Sequence, residues 1–212
     1  MNTVIYISRH SQPFRNLIGD YNANECEQIR NEKNPLSVNG ERFAKEMSER
    51  LELQDIDVLY SSHYVRDMST AKYIAETNNI VLNVDERLGE RKFGVNLISE
   101  LPKNFCEDQF RDWDYKLTNG ESANDVFKRM KEVIIEILNN NKNKKIAIIS
   151  HGTAISIMLS KWCDIKLNED TKLIEIYFKD KLVFDGNWKC PELFKLEFDE
   201  NNNLVSIQNI KQ

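Results

Sequence analysis

Lys145-Ile146-Ala147-Ile148-Ile149-Ser150-His151-Gly152-Thr153-Ala154-Ile155-Ser156-Ile157-Met158-Leu159 is the stretch whose reading decides the fold. Its first part, to Ser150, is a nearly unbroken apolar run rich in isoleucine, as expected of a strand buried on both faces. After Gly152, residues Ala154, Ile155, Met158, Leu159 and Trp162 recur at helical spacing, which predicts a helix over about 153–162 with an apolar side. A buried strand that turns into a helix through His-Gly is part of a βαβ unit, and such units build a parallel sheet.

The same alternation continues outward. Thr3–Ser8 is apolar and β-branched, and reads as a second buried strand. Pro35-Leu36-Ser37 opens a helix to about Leu53, with Phe43, Ala44, Met47 and Leu51 as its apolar face. A strand over 56–61 precedes a helix over 64–76 that turns Val65, Met68, Ala71 and Ala75 inward, and a strand follows over 80–84. Ser122 and Asp125 form a capping-box start for a helix carrying Val126, Met130, Val133, Ile134, Ile137 and Leu138 on one side. The tail reads as a hairpin, Leu193–Phe198 with Leu204–Ile207, while 164–190 shows no pattern that assigns it. The expected fold class is α/β, a three-layer, mostly parallel sheet flanked by helices. One domain is expected over 1–212, with insertions at about 11–34 and 95–119 that shape a pocket.

Composition narrows the function. With 41% hydrophobic and 30% charged residues, the chain has the make-up of a globular protein. It has no leader-like N-terminus and no apolar run near the ~20 residues that span a bilayer, so neither secretion nor a membrane partner is expected. A net charge of -5 disfavours a nucleic-acid partner. Cys26, Cys106, Cys163 and Cys190 are scattered without a Cys-x-x-Cys pair, which points to reduced thiols in a cytoplasmic protein. Oligomeric state is not readable.

In doubly wound sheets the ligand sits beyond the carboxyl ends of the strands. There the sequence places Arg9-His10, Ser62-His63 with Arg66 soon after, Glu90, and His151. Arginine forks match phosphate oxygens. A neutral imidazole can attack phosphorus, a second imidazole can bind its oxygens, and a carboxyl group can protonate the leaving oxygen. Other phosphate chemistries lack their signatures. There is no Gly-x-Gly or Gly-x-x-x-x-Gly-Lys loop, no Cys-x₅-Arg loop, no His-x-x-x-His zinc spacing and no Gly-x-Ser-x-Gly turn. No metal or other cofactor is expected.

Taken in order, the motifs resemble those of the histidine phosphatase superfamily, in its phosphoglycerate mutase-like branch. Arg9-His10-Ser11 stands for Arg-His-Gly, and Pro35-Leu36-Ser37-Val38-Asn39-Gly40 for Pro-Leu-Ser-x-x-Gly. Ser61-Ser62-His63-Tyr64-Val65-Arg66 with Thr70-Ala71 matches Ser-Ser-Pro-x-x-Arg-x-x-x-Thr-Ala. Leu88-Gly89-Glu90 with Phe93-Gly94, then Gly120-Glu121-Ser122 and Ser150-His151-Gly152, complete the set. The resemblance implies a phosphoglycerate mutase-like fold and a phosphatase acting on a small phosphorylated metabolite. It makes His10 the phosphorylated nucleophile, Arg9, Arg66 and His151 the phosphate pocket, and Glu90 the proton donor. It also offers Asn16 as a further phosphate contact. Ser11, Gln12 and His63 depart from the family's usual Gly, Glu and Pro.

Some readings stay open. His63 either extends the pocket or is an exposed helix-start histidine. Arg91 and Arg111 either contact substrate or belong to the surface. Phe105, Phe110, Trp113 and Tyr115 are expected to pack a lid. Two alternatives to the phosphatase remain: a phosphoglycerate mutase and a non-catalytic phosphate-binding module. Val95–Asn119 carries few cations, which weighs against the mutase.

Overall fold

The computed structural model describes residues 2–14 and 25–211. In chain order the elements are β1 (Thr3–Arg9), α1 (Glu27–Lys33), α2 (Val38–Ser48), β2 (Val58–Ser61), α3 (Val65–Asn78), β3 (Leu82–Val84), α4 (Phe105–Arg111) and α5 (Ala123–Asn140). There follow β4 (Lys145–Ser150), α6 (Gly152–Leu159), β5 (Asp164–Leu167), β6 (Ile174–Phe178), β7 (Lys181–Phe184), β8 (Glu192–Phe198) and β9 (Leu204–Ile210). Six strands form the main sheet in the order β3-β2-β4-β1-β8-β9. The first four are mutually parallel, and β8 and β9 extend the sheet as an antiparallel hairpin.

Three layers follow from the pleat. Successive side chains of a strand point to opposite faces. Ile5 and Ile7 of β1, with Ile146 and Ile148 of β4, pack with α5 and α6. Tyr6, Ala147 and Ile149 pack on the other face with Met47 of α2 and Ala71 and Ile74 of α3. Strands covered on both sides must be apolar at every position, which is why 145–150 reads as a continuous run. Helix α5 sits on its face as expected, with Val126, Met130, Val133, Ile134, Ile137 and Leu138 all buried. Its N-terminus carries the capping box: Ser122 Oγ accepts from Asp125 N at 3.1 Å, and Asp125 Oδ2 accepts from Ser122 N at 3.1 Å.

The structure corrects some boundaries and faces. Helix α2 stops at Ser48, and a 3₁₀ turn over Leu51–Leu53 leaves Leu51 87% exposed while burying Leu53. The turn redirects the chain, so helical spacing no longer applies beyond it. In α3 the inward residues are Arg66, Asp67, Thr70, Ala71 and Ile74, whereas Val65, Met68 and Ala75 are only partly covered. Its first turns face the polar groups of His151 and Ser11 rather than the apolar core, and a search for apolar periodicity misses that side. The unassigned stretch 164–190 contains a separate antiparallel sheet, β5-β6-β7, that packs against α6.

Register brings the chemistry together. Arg9 pairs with Ser150 across β1 and β4, and Ser61 with Ile149 across β2 and β4. His10 N–H donates to Ser150 O at 2.9 Å, and Ser62 N–H to Ile149 O at 3.0 Å. The three strands therefore deliver His10, Ser62 and His151 to a common edge.

Candidate active site

His10 is buried at the end of β1, and its Nδ1 lies 2.7 Å from the carbonyl oxygen of Ser11. A carbonyl accepts only, so Nδ1 carries the proton and Nε2 keeps its lone pair. Burial, reinforced by the Arg66 guanidinium, holds the imidazole well below its usual pKa. The ring is thus uncharged at neutral pH, with Nε2 unprotonated.

The turn after His10 is tied to two helices. Ser11 N–H donates to Thr70 Oγ1 at 3.0 Å and Ser11 Oγ donates to Gly40 O at 2.8 Å. Gln12 accepts twice from Ser37, through Oε1 from the hydroxyl at 2.8 Å and through its carbonyl from the amide at 3.0 Å. Ser37 in turn caps α2 by accepting from Gly40 N at 3.0 Å. A Cβ on Gly40 would stand 2.1 Å from Gln12 O, so only glycine lets the helix approach. Ser11 and Gln12 therefore serve as anchors of the nucleophile turn.

His151, fully buried, faces His10 edge-on with ring centroids 5.2 Å apart. Arg66 places Nη2 3.2 Å from His151 Nδ1 and donates through Nη1 to Asn31 O. Arg9 reaches the carbonyl of Trp188 at 3.4 Å, and its buried Nε has no partner. Burial and the Arg66 charge push His151 below its ordinary pKa as well. The buried guanidinium of Arg66 and the half-buried one of Arg9 beside two neutral imidazoles make a strong anion site.

Glu90 stands across the pocket, its Oε1 accepting from the amides of Arg91 at 2.9 Å and Ala154 at 3.2 Å. Arg129 clamps that loop, donating to the carbonyls of Arg87, Gly89 and Glu90 and pairing bidentately with Glu121 at 2.8 and 2.9 Å. Glu121 also accepts from Lys92 N at 3.0 Å, which accounts for the carboxylate in Gly120-Glu121-Ser122. Arg9 and Glu90 share a cavity of about 210 Å³ with Thr153, Ser156, Lys172 and Trp188. A larger cavity of about 310 Å³, lined by Phe43, Glu46, Met47, Arg50, Pro191 and Leu193, includes none of the site groups.

Of the residues marked in sequence, His10, His151 and Arg66 pack together with the Arg9 charge beside them, Arg9 and Glu90 line the cavity of about 210 Å³, and Asn16 lies outside the described residues. His63 is half-buried and lies 3.3 Å from Glu32, tying α1 to the start of α3. Arg91 is buried against the rings of Phe93 and Phe105, and Arg111 is an exposed partner of Glu169 at 2.8 Å. Phe105 packs between Phe93 and Tyr115, and Trp113 between Phe110 and Phe127, so these rings pack on one another. Sequence reasoning missed Arg129, which holds the Glu90 loop through backbone carbonyls, and Asp67, the residue after Arg66. The potential metal-ligating atoms of His10, Asp67 and His151 lie within 4.8 Å of one another, the one such group among the described residues. The adjoining arginines favour an anion there instead.

Comparison with known proteins agrees with this arrangement. A phosphoserine phosphatase from Hydrogenobacter thermophilus is 28% identical over 142 residues, covering 63% of this chain and 67% of the relative. A probable phosphoglycerate mutase, GpmB, from Serratia proteamaculans is 30% identical over 166 residues, covering 74% of this chain and 73% of the relative. A mycobacterial glucosyl-3-phosphoglycerate phosphatase structure superposes with a TM-score of 0.69 at 18% identity, covering 99% of this chain and 97% of the other, a likeness of fold. The model of the histidine phosphatase superfamily (branch 1) matches residues 5–175, a span that holds every histidine and arginine of the pocket. The chain belongs to the histidine phosphatase superfamily.

Proposed function

We propose that this chain is a metal-independent phosphomonoesterase that acts on a small phosphorylated metabolite through a phosphohistidine on His10. The observation that carries the reading is the 2.7 Å contact of His10 Nδ1 with Ser11 O, which leaves Nε2 free for attack beside Arg9, Arg66 and His151. The Nε2 lone pair forms the N–P bond as the ester P–O bond breaks. Arg9, Arg66 and His151 hold the three oxygens of the transferring group. Fixed donors of this kind are each worth about 10²–10³ in rate. Glu90, when protonated, gives its proton to the leaving oxygen. As a carboxylate it then takes one from the water that attacks phosphorus and frees His10. The guanidiniums supply the charge that a metal supplies elsewhere, so chelation is expected to leave the rate unchanged.

A phosphoglycerate mutase is the second reading, favoured by the Serratia proteamaculans relative. Against it, the cations Arg111 and Lys116 of the 95–119 segment are already paired, with Glu169 and Asp125. No helix among the described residues is long and apolar enough to cross a membrane. The free thiols of Cys26, Cys106 and Cys163 support a reducing, cytoplasmic setting. The test is a panel of phosphorylated metabolites, with and without chelator, read as phosphate release, alongside primed 3-phosphoglycerate. Phosphate release that disappears in His10→Ala supports the phosphatase. Formation of 2-phosphoglycerate without phosphate release supports the mutase. Binding with no turnover supports a non-catalytic module.

A further inference from the structure

Position 67 holds a carboxylate inside a pocket otherwise built for an anion. Asp67 lies in the first turn of α3 with no exposed surface, and its carboxyl group faces Ser62, His151 and Arg66. Oδ1 is 3.3 Å from His151 Nε2, and Oδ2 is 3.9 Å from Arg66 Nε. A buried carboxylate held only at these longer distances is destabilising, so its presence calls for a use. His151 is gripped at both nitrogens: Arg66 donates toward Nδ1 at 3.2 Å, and Asp67 and Ser62 Oγ, at 3.1 Å, face Nε2. With these partners the ring is neutral, with its proton on Nε2 and a lone pair on Nδ1. That lone pair would repel a phosphoryl oxygen.

We propose that Asp67 is a positioning residue: when an oxyanion enters, it draws His151 to the imidazolium form, with Nε2–H held on Asp67 and Nδ1–H donated to the transferring phosphoryl group. This deepens the phosphatase reading and rests on it. The proton comes from solvent, or from the monoanionic form of the substrate, and is returned when phosphate leaves. Charge balance drives it. The groups around the ring are Arg9, Arg66, His10 and Tyr64, with Glu90 across the pocket and Arg129 already neutralised by Glu121. A dianion matches the charges of Arg9 and Arg66, and with the proton donor Glu90 in its neutral form the carboxylate of Asp67 is left in excess. Protonation of His151 offsets it.

The chain has three histidines, so ¹⁵N-imidazole spectra resolve each ring. With tungstate bound at pH 7.5, an oxyanion that does not itself titrate there, His151 is expected to show both nitrogens protonated in the wild type. In Asp67→Asn one nitrogen reverts to the unprotonated shift, and kcat falls roughly tenfold or more with KM little changed. An unprotonated His151 nitrogen in the tungstate-bound wild type overturns the proposal whether or not the variant folds, and so does full activity in Asp67→Asn. If the ring stays neutral while the wild type releases phosphate, this inference falls and the phosphatase reading stands. If the ring protonates but no phosphomonoester is hydrolysed, the phosphatase reading falls and Asp67 keeps its role in oxyanion binding.

Discussion

At the scale of single residues, the site depends on histidines kept neutral by burial and by arginine. His10→Ala is expected to abolish turnover, and Arg66→Ala to cost about 10²–10³ in kcat/KM, read by phosphate release. Because His10 titrates below its ordinary value, the acid limb of kcat/KM, corrected for substrate ionisation, should lie below pH 6.5. A limb at or above that pH contradicts the assignment. Stability follows from the same shifts. Between the lowered native pKa values of His10 and His151 and ~6.5, the unfolded chain binds more protons, so stability falls on acidification through that window. Asp67 acts oppositely, since burial raises its pKa despite Arg66, and the folded state is penalised wherever the unfolded carboxyl is ionised. Asp67→Asn should therefore raise Tm at pH 7 by ~2–4 °C, a gain that shrinks as pH approaches the ordinary carboxylate value. Calorimetry at pH 7 and pH 4 checks it.

At the scale of elements, loops are held by charged clamps. Arg129 fastens the Glu90 loop through its carbonyls, so Arg129→Ala should lower kcat by about tenfold or more on alkyl phosphates, which need a proton at the leaving oxygen. It should spare p-nitrophenyl phosphate, whose leaving group departs unprotonated. Equal losses on both substrates would count against a proton-donor role for Glu90. Much of this level was readable in advance. The strands at 3–8 and 145–150 declare themselves because burial on both faces forces continuous apolarity, and α5 because its cap and stripe agree. The inner face of α3 was read only at Arg66, through its motif, and at Ala71, because Arg66, Asp67 and Thr70 point inward to polar groups, where apolar periodicity has nothing to report. Leu51 was misplaced because a 3₁₀ turn breaks the spacing that put it inward.

At the scale of the whole molecule, parallel strand register gathers the reaction centre, while the added sheet β5-β6-β7 and the residues after it wall the cavity beside it. The first is written in the order of the motifs. The second was hidden, since short antiparallel strands with mixed faces such as Asp164–Leu167 have little periodicity, and Lys172 and Trp188 gain meaning only by packing near Arg9 and Glu90. Lys172→Ala should thus change KM across a metabolite panel by several-fold while leaving kcat on p-nitrophenyl phosphate within about twofold. A uniform loss would mean that the wall supports the catalytic groups instead of the substrate. The most direct test of a histidine nucleophile is rapid acid-free quenching of the enzyme with ³²P-labelled substrate, followed by peptide mapping. A base-stable, acid-labile label on the peptide containing His10, absent in His10→Ala, is the expected result. An active enzyme with no label, or with the label on another residue, would contradict the account.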